Sequence, residues 1–182
     1  EMELNGLVDR EKLLGISGRS RKPQMELAAK WGITEYPSPA GGCRLTEPNY
    51  ALRLKDLLTF KDEVEEDELS LLRYGRHFRT SDNNKIIVAR TKEESEAIKK
   101  LINKEYLSFH ATDFSGALVL LDKNGTEDDK VLAARMAARY SKGREEEKVK
   151  IKFGIYGTKL DNHIEVEPIN DNELEKYMIS IK

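Results

Sequence analysis

YLSFHATDFSGALVLLD, residues 106–122, followed by Thr126 and a run to Tyr140, decides the fold. Tyr106 to Ala111 reads as a strand, and Asp113 to Gly116 as a turn. Ala117 to Asp122 is a nearly continuous apolar run, the pattern of a central strand covered on both faces. Thr126 is placed to cap a helix through Tyr140. That helix carries Leu132, Met136 and the small residues Ala134, Ala137 and Ala138, which let it approach a sheet closely.

Working outward, residues 85–90 form a β-rich run after the turn-like Ser81 to Asn84. Thr91-Lys92-Glu93-Glu94 has the form of a capping box, and Ala97, Ile98, Leu101 and Ile102 share one helical face. Lys148 to Phe153 alternates polar with apolar residues, as does Ile164 to Glu167. Met178 to Ile181 is expected to be a short final strand. Residues 71–182 therefore predict an α/β (α+β) fold, a small mixed-sheet domain with two main helices, preceded by a helical and loop segment.

In that preceding segment, Asp9 suits the cap of a short helix with Leu13 and Leu14. Gln24 to Trp31 reads as a helix stopped by Gly32. Pro37 to Gly42 excludes regular structure, and Tyr50 to Leu58 is helical again. Residues 1–60 hold few large apolar groups and make a marginal domain by themselves. The acidic run 61–70, one Lys against six carboxylates, is expected to be the linker.

Charge is segregated although the net charge is only -2. Residues 71–152 hold 18 basic against 13 acidic side chains, and 153–182 hold 3 against 6. The reading is a domain with a basic face; the alternative is a solvated surface with chance clustering. One Cys among 182 residues excludes a disulfide framework and argues against a zinc cluster, so no metal is expected. No apolar run approaches a membrane span and no signal peptide is visible, so the expected compartment is reducing and cytoplasmic. The chain opens without Met at position 1, which suits a piece of a longer protein.

Four features carry chemistry. Arg19, Arg21 and Lys22 with Ser20 make a phosphate-binding loop or simply an exposed basic one. Cys43 follows two glycines and precedes Arg44, so it is either a reactive thiol or a small buried hydrophobe. His110 near Asp113 is an acid–base pair or a structural histidine. Lys148, Lys150 and Lys152 project from one strand face, where they protect an edge or bind phosphates.

Two resemblances follow from these residues. Glu26 to Ile33, Ala40-Gly41-Gly42-Cys43 and Asn49 through Leu58 resemble the end of the catalytic domain of tRNA thiouridylases, PP-loop ATPases of the 2-thiouridylase and 4-thiouridine-synthase type. That resemblance implies a persulfide role for Cys43, a sulfur-donor protein as partner, and ATP as the cofactor of a PP-loop domain. The Ser-Gly-Gly-x-Asp-Ser loop of such a domain is absent, as is a second Cys. The ATPase would be supplied in cis by a longer chain or in trans, with no cofactor in this one.

The second resemblance covers residues 71–182. Phe109-His110-Ala111, Asp113, Ser115-Gly116-Ala117, the apolar strand, the helix ending Ala137-Ala138-x-Tyr140-Ser141, and Lys148-Val149-Lys150-Ile151 resemble the RNA-binding domain of NFACT proteins. It implies tRNA as partner, with His110, Asp113, Ser115 and Gly116 shaping an RNA-contacting loop. Arg76, Arg79 and Arg90 are the next candidates for phosphate contacts, because guanidinium is bidentate, and Lys148 and Lys150 follow. Together the resemblances imply the tRNA-binding region of a sulfur-transfer enzyme that is not competent alone. The alternatives are a non-catalytic tRNA- or ribosome-associated adaptor and a domain whose basic face meets an acidic protein.

Overall fold

The structure is a computed structural model that describes residues 5–7, 9–12, 14–17, 20–36, 43–102 and 106–181. The contact pattern divides it between Gly42 and Cys43 into two units. The first, residues 1–42, holds a single-turn 3-10 helix, Arg10–Lys12, and α1, Lys22–Lys30. The Asp9 carboxylate accepts the Glu11 backbone N–H at 3.1 Å, so the expected Asp9 helix is this tight turn; Leu13 lies outside the described residues. Pro23 opens α1, and Gly32, at φ +67°, ends it. No residue of α1 is buried within the described structure.

The second unit, residues 43–182, begins with a 3-10 turn, Arg44–Thr46. There follow α2 Pro48–Phe60, α3 Glu66–Leu71, β1 Arg76–Arg79, β2 Lys85–Val88, α4 Lys92–Leu101, β3 Tyr106–Ala111, β4 Val119–Asp122, α5 Glu127–Arg139, β5 Val149–Ile155, β6 Asn162–Val166 and α6 Asp171–Tyr177. The strands form one sheet in the order β1-β2-β4-β3-β5-β6, antiparallel at every pairing. The expected class, mixed α+β, is what the chain forms.

Strand alternation sorts the core into two layers. Phe78, Ile86, Val88, Leu107, Phe109, Val119, Leu121 and Ile151 pack against Leu132, Ala133, Met136 and Ala137 of α5 and Leu174 of α6. The other face buries Ile87, Ala89, Leu118 and Leu120 under Leu71 of α3 and Ile98 of α4. Both threonines cap their helices, but only Thr126 completes a capping box. Thr126 accepts from Asp129 N and Asp129 reaches back to Thr126 N, a complete capping box. Thr91 accepts from Glu94 N, but the Glu94 carboxylate turns to the backbone N–H of Gly75 and Arg90.

Two elements differ from expectation. Residues 171–177 are helical because Asn170 caps Glu173 N, Leu174 is buried and Arg135 grips the Glu173 carboxylate at 2.6 and 2.8 Å. The expected strand at 178–181 shrinks to one bridge, Phe78 with Met178, which covers the outer edge of β1. The acidic run 61–70 contains the start of α3, where Glu65 and Glu68 make a reciprocal cap and Lys61 pairs with Glu68 at 2.6 Å.

Residues 43–60 belong with the sheet. Arg53, on α2, is buried and donates to the carbonyls of Leu72 and Gly75 at 2.9 and 3.1 Å. Asp56 pairs with Arg79 of β1. Gly75, between α3 and β1, has φ +72°, and a Cβ there would sit 2.7 Å from the Val88 carbonyl oxygen. The left-handed backbone and the close approach both require glycine.

Candidate nucleic-acid interface

The strand register assigns the predicted residues to the two ends of the sheet. Arg76 is opposite Val88, Val88 opposite Val119, Val119 opposite Phe109, and Ala111 opposite Ile151. Arg76, Arg90, His110, Lys148, Lys150 and the 112–117 loop therefore share one end. Arg79, Lys85, Tyr106 and Asp122 share the other, because Arg79 faces Lys85 and Tyr106 faces Asp122.

On the face opposite α5, His110 of β3 lies across from Lys152 of β5, which lies across from His163 of β6. Lys150 is next along β5, opposite Glu165, and Lys148 just precedes the strand. Lys148, Lys150, His163 and Glu165 are exposed; His110 and Lys152 are half-buried. Burial first, then the charges of Lys152 and of Lys99 on α4, holds the His110 imidazole below its ordinary pKa. At neutral pH this is an uncharged ring among ammonium groups, able to stack or to exchange hydrogen bonds.

The loop beside it is clamped. Thr112 N–H donates to the Lys150 carbonyl at 2.9 Å, Lys142 N–H to the Ser115 carbonyl at 2.9 Å, and Ala117 N–H to the Tyr140 carbonyl at 3.0 Å. Gly116 bridges to Ser141, and a Cβ at 116 would lie 3.0 Å from that of Ser141. Gly143 makes room for the Phe114 ring, which its Cβ would meet at 2.5 Å. Asp113 and Ser115 stay exposed.

Two clefts flank the loop. One, of about 440 Å³, is lined by His110, Phe114, Ser115, Lys152 and Leu160. The other, of about 650 Å³, is lined by Ser115, Gly116, Tyr140, Ser141, Lys142 and Arg144. Arg76 joins the second by stacking over the Tyr140 ring at 5.1 Å.

The structure thus gathers His110, Asp113, Ser115, Gly116, Lys148, Lys150 and Arg76. Arg90 shares this end but is engaged with Glu94 at 2.8 Å. Arg79 is at the other end, bound to Asp56 and to the Asn83 carbonyl and stacked over Phe60, so its guanidinium holds structure there. Arg21 and Lys22 begin α1 in the other unit, and Arg19 lies outside the described residues. Cys43 is exposed; its carbonyl accepts the N–H and hydroxyl of Thr46, and Gly41 and Gly42 lie outside the described residues. Lys152, read with Lys148 and Lys150 as one strand face, joins the site, and His163, Tyr140, Lys142 and Arg144 join it beyond the predicted set. The Lys-x-Lys-x-Lys alternation signalled Lys152, whereas His163 follows only from register.

Among the described residues no cluster of His, Cys, Asp and Glu could hold a metal ion. No helix of the described residues is long and apolar enough to cross a membrane.

Comparison with known proteins bears on this arrangement. Residues 75–178 match the family described as NFACT protein RNA binding domain. Among solved structures, the C-terminal part of the fibronectin/fibrinogen-binding protein from Streptococcus suis superposes with a TM-score of 0.51 at 17% identity, over 87% of this chain and 78% of that one. At that identity the likeness is one of fold. No curated protein matches the sequence.

Proposed function

The chain belongs to the NFACT protein RNA-binding domain family through residues 75–178, and on that premise we propose that it is an RNA-binding adaptor that holds tRNA at the open, loop-bearing end of the sheet. The observation that carries this reading is the cross-strand row His110, Lys152 and His163, with Lys150 and Lys148 beside it. Phosphates are drawn to the lysines, while the rings of His110 and Tyr140 offer surfaces for unstacked bases. The clamped loop holds Asp113 and Ser115 as hydrogen-bonding groups that need little ordering on binding.

The test is a salt titration of tRNA binding, with duplex DNA of similar charge as control. Preferential binding of tRNA that weakens linearly in log–log form supports the reading. If neither nucleic acid binds at low salt, the reading fails. A sulfur-carrying role for Cys43 is the finer proposal, favoured by its exposure. It requires a PP-loop ATPase and a sulfur donor from elsewhere, and it predicts a persulfide on Cys43 after incubation with a cysteine desulfurase and cysteine. Absence of that adduct would leave the adaptor alone.

A further inference from the structure

The end of the sheet away from the loop encloses a cavity of about 590 Å³, within the size range of small-molecule sites. Its apolar walls are Leu57, Leu71, Ile87 and Leu101, with the rings of Phe60 and Tyr106. Into it points Lys85, only 7% exposed. Among the described residues no group accepts a hydrogen bond from its Nζ. Asp122 accepts the Lys85 backbone N–H at 2.7 Å with one oxygen, and its other oxygen has no partner among the described residues. The Tyr106 hydroxyl, beside Asp122 by strand register, is likewise uncommitted. Burial pushes the Lys85 ammonium down to about 8 and raises the Asp122 carboxyl, and burial with the Asp122 charge raises the Tyr106 phenol.

One buried and two half-buried polar groups, two able to donate and one to accept, line one space that Asn83, Asn84 and Asn124 also border. A purely apolar occupant would leave all three unsatisfied. An anion would meet Glu65, Asp67, Glu68 and Asp122 on the walls. A cation would meet Lys85, Arg79, Lys61 and Lys123. What fits is an uncharged, flat molecule with donors and acceptors along one edge. We propose that this cavity binds a free nucleobase or nucleoside, its polar edge on Lys85, Asp122 and Tyr106, and that it rejects phosphate-bearing nucleotides. A base on an RNA strand has the same edge, but its phosphates would have to enter beside Glu65, Asp67 and Glu68. Tyr106 and His110 are four residues apart on β3, about 13 Å at the rise of a strand, so the two sites are separate. The proposal does not rest on RNA binding at the loop end.

Calorimetric titration of the full chain with adenosine, guanosine, cytidine and uridine tests it, followed by the matching 5′-monophosphates and a short single-stranded oligoribonucleotide. The expected result is one-to-one binding of at least one nucleoside, at least tenfold weaker binding of its monophosphate, and a tenfold or greater loss in Lys85→Met with tRNA binding unchanged. As a readout that needs no variant, the Lys85 side-chain NMR signal of lysine-labelled protein shifts with the same saturation. Millimolar nucleosides that neither bind nor move that signal overturn the proposal, as does a tighter monophosphate. If instead the oligonucleotide alone binds and loses affinity in Lys85→Met, the occupant is a strand of RNA and the free-ligand assignment is overturned.

Discussion

Basic side chains stand at both ends of the sheet, but the two ends dispose of them differently. Around Lys85 the cations are answered inside the fold: Arg79 by Asp56, Lys61 by Glu68. At the loop end Arg90 and Arg144 pair with Glu94 and Glu145, but Lys148, Lys150 and Lys152 have no ion pair among the described residues. A charge count along the chain does not separate these ends; the three lysines without ion pairs do. Paired surface charge contributes little to binding a polyanion, whereas unpaired lysines on a fixed strand can release counterions from phosphates. One end is therefore suited to a long anionic partner, and the other to a small uncharged one.

The sharpest way to break this comparison is to remove the one buried ammonium. Lys85 has a folded pKa below its unfolded value, so between about pH 8 and 10.5 the unfolded chain binds more protons and stability rises with pH. Below that window the buried charge is a full burden, worth up to about 3 kcal/mol by linkage. Lys85→Met, of similar length and without charge, is expected to raise stability at pH 7 by about 2–3 kcal/mol and to abolish the alkaline rise. Urea unfolding at pH 7 and pH 10 reads both. A destabilised variant would mean that Lys85 stabilises the fold through Asp56 and Asp122, and the cavity would lose its claim to a stored cost. Next in size is Gly143→Ala. Its Cβ would meet the Phe114 ring at 2.5 Å, and overpacking of this kind costs about 1–3 kcal/mol. Because Phe114 carries the loop, the same variant should weaken tRNA binding, while a nucleoside at the far end binds as before.

Much of this frame was legible because local and global signals agree. The apolar run of β4, the alternation of β5 and the caps Thr91 and Thr126 each decide an element from a few residues. β1 was not legible. Arg76-His77-Phe78-Arg79 has one apolar residue, and His77 is buried only because α2, α3 and the 178–181 segment close around it. That burial, reinforced by Lys85 and Arg53, keeps the imidazole neutral, with its Nε2 2.8 Å from the Tyr74 carbonyl. The site shows the same limit. His110, Asp113, Ser115 and Gly116 are contiguous, so the motif gives them together. Arg76 and Arg79, only three residues apart, fall at opposite ends of a strand about 10 Å long. Register decides which can serve the loop, and register is a property of the folded sheet.

Smaller in free energy, but more direct for the loop end, is the double substitution Lys150→Ser with Lys152→Ser. Loss of two phosphate contacts should weaken tRNA binding about tenfold and reduce the log–log salt slope by about 1.4, at roughly 0.7 for each contact to a single strand. Arg79→Lys, at the paired end, should leave that slope unaltered. Equal effects from the two variants would erase the distinction between the ends.

The smallest effect expected is one of pH. His110 sits below its ordinary pKa because it is half-buried beside Lys152 and Lys99, so at pH 7 it contributes no charge to RNA. A bound phosphate would offset those two ammonium groups and favour the imidazolium. Lowering pH from 7 to 5.5 should therefore strengthen tRNA binding severalfold, a gain that His110→Gln reduces. Filter binding of both proteins across that range, at fixed ionic strength, reads the difference. Identical pH profiles would place the RNA away from the β3 side of the row, on the lysines of β5 and the cleft beside Tyr140.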